Sequence, residues 1–104
     1  LIAGGADKDL DVTELAQAIT QHCKRVFLTP GTGTNHLINI LKDTSIYGSE
    51  KVIVVENLEQ AVTEAKLAAE NADIILFSPA FASFAQYQNE YERNDAFMSF
   101  VEVL

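Results

Sequence analysis

Ile74-Ile75-Leu76-Phe77, followed at once by Ser78-Pro79-Ala80-Phe81-Ala82-Ser83-Phe84, is the stretch on which the fold turns. Four consecutive apolar residues with no polar alternation read as a strand covered on both faces, the habit of parallel sheets. Two hydroxyls, a proline and small alanines then stand where the strand ends and a helix must begin. In open α/β sheets that position faces the ligand crevice. Such a loop adds little to a core, so its composition points to a site.

Working outward, short apolar runs alternate with amphipathic stripes. Strands are expected at Leu1–Ala3, Arg25–Thr29, Val52–Val55 and Asp73–Phe77. Val12, Leu15, Ala16, Ile19 and Cys23 mark one face of a first helix, with Asp11 and Glu14 as its capping box. Leu37, Ile38 and Leu41 stripe a second helix after the turn Pro30-Gly31-Thr32-Gly33, and Asp43–Ser49 reads as loop. Asn57 and Gln60 form another capping box before a third, whose inner face is Leu58, Ala61, Val62, Ala65 and Ala69. A last helical pattern carries Tyr87, Tyr91, Phe97, Val101 and Leu104, with a break expected near Asn94.

This alternation implies an α/β, Rossmann-like three-layer sandwich, a mainly parallel sheet with helices on both faces. Right-handed crossovers favour the strand order 3-2-1-4. The loop after the first strand, Gly4-Gly5-Ala6-Asp7-Lys8, should then face Ser78–Ser83 across the topological switch.

The chain has 104 residues, enough for one domain that needs no disulfide or metal staple. Its one cysteine, Cys23, is expected to be core. Fifteen acids against seven bases give a net charge of −8, which disfavours nucleic acid and anionic membrane as partners. No apolar run approaches the roughly 20 residues of a bilayer span. The opening Leu1-Ile2-Ala3, without Met and in mid-strand, suggests a piece of a longer protein.

Gly4–Lys8 joins permissive backbone to a carboxylate and an ammonium, which suit a polar ligand as well as a solvated turn. Ser83 is expected to help start the last helix, and a hydroxyl at a helix N-terminus suits an anion. Gly31-Thr32-Gly33-Thr34-Asn35-His36, with Glu56 after the next strand, half-resembles a dinucleotide fingerprint. It follows the wrong strand, however, and His36 replaces the third glycine. No metal-ligand spacing, catalytic triad or G-x-x-x-x-G-K-[ST] is present.

Leu1–Lys8, the run from Val52 to Asp73, and Ser78–Phe84 continuing through Glu92-Arg93-Asn94-Asp95-Ala96-Phe97 together resemble the C-terminal domain of the Mur ligases. The likeness covers essentially the whole chain, and within the family it is greatest to members that add D-glutamate to UDP-N-acetylmuramoyl-L-alanine. It implies a cytoplasmic, monomeric, three-domain enzyme of peptidoglycan synthesis that forms an amide and releases ADP. ATP and Mg²⁺ would be held mainly by a central domain, and the C-terminal domain would bind the amino acid and close. By the same resemblance Ser83, Lys8, Phe84 and Glu90 touch D-glutamate, and Asp7 and Lys8 face the nucleotide. Ser78, Pro79, Arg93 and Asp95 belong to the structural motif, and no catalytic or metal-binding residue lies in this domain alone. Lacking a P-loop, the isolated chain is expected to be inactive.

Phe81, Ala85, Gln88 and Asn94 depart from the family's usual residues, and Asn94 is expected to keep a left-handed turn. Two other readings stay open, a dinucleotide-binding module using Gly31, Gly33 and Glu56, and a non-enzymatic α/β interaction domain.

Overall fold

A computed structural model describes residues 1–44, 50–83 and 86–103. Three parallel strands, β1 (Ile2–Gly4), β2 (Val26–Thr29) and β3 (Val52–Val54), lie in the order β1-β2-β3. Ile2 stands opposite Phe27 and Ala3 opposite Leu28, while Phe27 stands opposite Ile53. Alternate residues of a strand point to opposite faces, and the two faces feed two separate cores.

On one face Ala3, Val26 and Leu28 pack against α1 (Thr13–His22) and α2 (Thr32–Leu41) through Val12, Ala16, Ile19, Leu37 and Leu41. On the other, Ile2 and Phe27 meet Leu58, Ala61, Val62 and Ala65 of α3 (Leu58–Ala68), with Phe97 and Phe100 of α4 (Glu90–Glu102) adding to the layer. Burying one such Leu or Ile side chain contributes roughly 1.5–3 kcal/mol, so each helix is held mainly by its stripe. The alanines of α3 bring its axis close to the sheet. The α/β sandwich with helices on both faces is therefore present.

The expected fourth strand is not formed, so the order 3-2-1-4 gives way to a three-stranded sheet. Of Asp73–Phe77 only Phe77 makes a parallel bridge, to Ile2. The segment still runs along the edge of β1. Ile2 N–H donates to the Leu76 carbonyl at 2.8 Å, Ser78 N–H to Ile2 at 3.1 Å, and Gly4 N–H to Pro79 at 3.0 Å. Its apolar side chains are not covered as a central strand's would be: Ile74 is 88% exposed. With only one bridge to β1, the run stops short of a regular ladder. Val54, on the edge strand β3, is likewise exposed.

The helix ends differ from expectation in three places. Asn57 does cap α3, accepting from Gln60 N–H at 2.8 Å, and the Gln60 side chain returns to Glu56 N–H rather than to Asn57. Asp11 instead accepts from both the amide and the hydroxyl of Thr13, so Val12 is the N-cap of α1. The last helix starts at the Asn89 cap, which accepts from Glu92 N–H. Ser83 lies before that cap, its carbonyl accepting from Gln86 and Tyr87 N–H. Asn94 lies inside unbroken α4, where no left-handed turn occurs. Tyr91 and Val101 are exposed rather than buried, and Cys23 is only half-buried against the first core. Of the Asp43–Ser49 loop, residues 45–49 lie outside the described residues, as do Ala85 and Leu104.

Candidate functional site

At the carboxyl ends of the strands the two conspicuous loops are bonded directly to each other. Ala6 N–H donates to the Ala82 carbonyl at 2.8 Å, and Ala82 N–H returns to Ala6 at 3.0 Å. The approach is tight because Gly5 is at φ +143°, and a Cβ there would strike the Ala82 carbonyl. Ala80, at φ +70°, turns the second loop through the left-handed region without a glycine, a conformation worth about 1 kcal/mol of strain or more.

Beside this pair opens a narrow crevice walled by Gly4, Gly5, Thr29, Ser83, Tyr87 and Arg93. Its enclosed volume is only about 10 Å³, roughly the least that holds a single water. Ser83 is 6% exposed and faces it. Arg93 reaches from α4 to the Phe81 carbonyl, Nη1 donating at 2.8 Å, while its Nε is buried without a partner among the described residues. Burial lowers the Arg93 pKa from the ordinary guanidinium value, countered in part by Glu90; so strong a base stays charged. Burial also raises the Tyr87 pKa, and Glu92 adds to the effect.

The first loop is anchored to the opening turn of α2. Gly33 and Thr34 N–H groups both donate to the Gly5 carbonyl, at 2.9 and 3.3 Å. The Thr34 hydroxyl oxygen accepts from Gly5 N–H at 3.1 Å, and Thr32 Oγ1 accepts from Asp7 N–H at 2.9 Å. Phe81, fully buried, lays its ring over Gly33.

No family model matches the chain. Curated relatives do. A UDP-N-acetylmuramoylalanine–D-glutamate ligase of Hydrogenovibrio crunogenus is 40% identical over 98% of this chain. Enzymes of the same name from a Roseiflexus species and from Borreliella afzelii are 40% and 38% identical over 98% and 100% of it. The chain belongs to the Mur ligase family. It spans about a fifth of the length of the curated relatives it matches.

In this Mur ligase chain the residues singled out from the sequence are not all brought together. Ser83 and Arg93 share the crevice wall. Asp7 and Lys8 are exposed and are not part of that wall. Because Ala6 and Ala82 pair antiparallel, Ser83 lies on the Gly5 side of the pair and Lys8 runs the other way. The two loops thus meet, with Ser83 and Lys8 on opposite sides of the Ala6–Ala82 pair. Glu90 opens α4, exposed, and Asp95 is exposed one turn further on. Ser78 and Pro79 hold the edge of β1 through their backbone. Phe84 lies outside the described residues.

Thr29, Gln86 and Tyr87 line the crevice and escaped the sequence reading. Thr29 ends β2, so attention to every strand end would have found it. Gln86, whose Nε2 donates to the Glu56 carbonyl at 3.1 Å, was hidden by extending the last helix too far back.

The Mur ligase fold also bears on the nucleotide. In the glycine-rich turn at Gly31–His36 the amides of Gly33 and Thr34 are spent on the Gly5 carbonyl, so those two groups are not presented to a phosphate. A dinucleotide would have to break the anchorage of the β1 loop to bind there. Among the described residues no group of three His, Cys, Asp or Glu side chains is placed to hold a metal ion, and no helix is long and apolar enough to cross a membrane. The described residues thus offer no ready-made cluster of carboxylates and imidazoles around a cation.

Proposed function

We propose that this chain is the C-terminal domain of a D-glutamate-adding Mur ligase, the part that binds the incoming amino acid and closes over the reaction centre. The relatives named above are D-glutamate ligases, which is the ground for that amino acid. The observation that carries the reading is the direct pairing of the Gly4–Lys8 and Ser78–Ser83 loops at the carboxyl ends of parallel strands, with the Ser83 residue sunk beside them. In a chain of net charge −8 an anionic amino acid must be met by local donors. Ser83 donates its hydroxyl to one carboxylate, and Lys8 supplies a mobile cation at the rim.

The crevice in its present form is too narrow for a carboxylate, so binding at Ser83 goes with widening of the gap between the loop and Tyr87. Closure of such a domain excludes water and completes the site, as lids do. The whole enzyme would work as a monomer in the cytoplasm, with ATP and Mg²⁺ bound mainly outside this domain and UDP-N-acetylmuramoyl-L-alanine as acceptor. ATP would supply the phosphoryl group that activates the acceptor carboxylate.

The test is made in the ligase that carries this chain, by following ADP release that depends on D-glutamate. Removing a hydrogen bond to a charged group costs about 1.5–3 kcal/mol, so Ser83→Ala should raise KM for D-glutamate at least tenfold. Lys8→Ala should lower kcat/KM as well. Parent-like kinetics in both variants would remove the assignment.

A further inference from the structure

The motif from Gly31 to His36 is not absorbed by amino-acid binding, yet it touches the Lys8 loop at every turn. Gly5 is held at its carbonyl by two amides of α2 and at its N–H by Thr34. Two residues on, Asp7 N–H donates to Thr32 Oγ1. Four residues along the same helix from Thr32, and so on the same face, His36 places Nδ1 3.7 Å from Asp7 Oδ2. That is beyond hydrogen-bond length but within ion-pair reach. His36 Nδ1 is also buried without a hydrogen-bond partner among the described residues, a situation that calls for a nearby acceptor. The other Asp7 oxygen accepts from Asp9 N–H at 3.0 Å, closing a tight turn in which Asp9 sits at φ +59°. Lys8 is the central residue of that turn.

We propose that His36 is a positioning residue: with Thr32 it clamps the Asp7–Asp9 turn and so sets where Lys8 presents its ammonium. The helix supplies the rigid side of the clamp, and Asp7 is the jaw. Without the imidazole, Asp7 keeps its backbone tie to Thr32 but loses the contact that orients its carboxylate, and the turn around Lys8 loosens. The role given to Lys8 rests on the ligase reading above; the clamp itself does not.

Two variants separate these claims. His36→Ala removes the contact, whereas His36→Asn keeps an N–H donor near the position of Nδ1. In the chain itself, amide hydrogen exchange at Asp7, Lys8 and Asp9 should quicken in His36→Ala and return to the parent rate in His36→Asn, with the amides of β1 and β2 unchanged. In the ligase carrying this chain, His36→Ala should raise KM for the substrate that Lys8 engages by about two- to fivefold, the lower range of one net polar contact, with kcat little altered. His36→Asn should restore it. Parent-like exchange in His36→Ala, or a His36→Asn variant as loose as the alanine, overturns the clamp. Altered exchange with unaltered kinetics would keep the clamp and discard the role given to Lys8.

Discussion

The two ends of the sheet are built on opposite plans. At the carboxyl ends of the strands the loops from β1 and from Ser78–Ser83 exchange backbone hydrogen bonds and rest on α2, and Gly4, Gly5, Gly31 and Gly33 leave no room for a single added carbon. At the amino ends a groove of about 440 Å³ lies open between Leu1, Phe27, Ala65, Ala69 and the exposed run Ile74–Leu76. One end is specified atom by atom; the other is an open, mainly apolar groove with charged groups such as Lys24 and Asp73 at its margin. Substitutions should therefore be felt very differently at the two.

The largest effect is expected at Gly33. A glycine inside a helix normally gains about 0.5–1 kcal/mol when replaced by alanine. Here the new Cβ would lie 2.8 Å from ring carbons of Phe81, and overpacking of that kind costs about 1–3 kcal/mol. Gly33→Ala should thus lower the urea midpoint. The same change in a Phe81→Cys background should cost at least about 1 kcal/mol less, the coupling of neighbours in contact. A stabilised Gly33→Ala variant would break the contrast outright.

Next comes Arg93→Ala. It removes the charged donor to the Phe81 carbonyl, and a partly exposed bond of that type is worth about 1–2 kcal/mol. Thermal melting should show the loss, and amide exchange should show it concentrated in Phe81 to Ser83. Uniform loosening of the whole domain would mean that Arg93 braces α4 rather than the loop.

At the open end Ile74→Ser should shift stability by no more than about 0.5 kcal/mol, because the side chain already stands in solvent. A drop above about 2 kcal/mol in the same melting assay would show that the groove has a covering partner within the molecule.

The smallest effect belongs to Asp73, also at the open end. Its carboxyl is held below its ordinary value of 3.8 first by the Glu70 N–H and then by Lys24. The sign follows: a depressed carboxylate pKa contributes stability above the unfolded value, and that contribution is lost as pH falls through the folded one. The difference in melting temperature between parent and Asp73→Asn should therefore be present at pH 6 and vanish on acidification toward pH 2. A difference that grows in acid would contradict the assignment.

Much of this was legible before any coordinates. The stripe Val12, Ala16, Ile19 and the run Leu58, Ala61, Val62, Ala65 named their buried faces correctly, because a helix exposes its periodicity in the order of its residues. The pairing of two distant loops followed from where the strands end. Three things misled. Ile74–Phe77 has the composition of a strand, yet it bridges β1 only at Phe77. Asn94 was given a turn on its tolerance for left-handed backbone, while the surrounding residues carried the helix straight through. Asp11 looked like a cap and instead folded its carboxylate back on Thr13.

By itself the sequence determined the α/β class, the helical faces, the family and the two loops that matter, since each depends on local pattern or on shared motif. Tertiary structure alone decided that Gly33, Thr34 and Thr32 brace the Lys8 loop, and that Ser83 and Arg93 share a wall from which Lys8 is absent. The physical reason is that an amide or a glycine declares only what it can accept. Whether a ligand or the chain's own carbonyl occupies that position is settled by which segments the fold brings within 3 Å or so of each other.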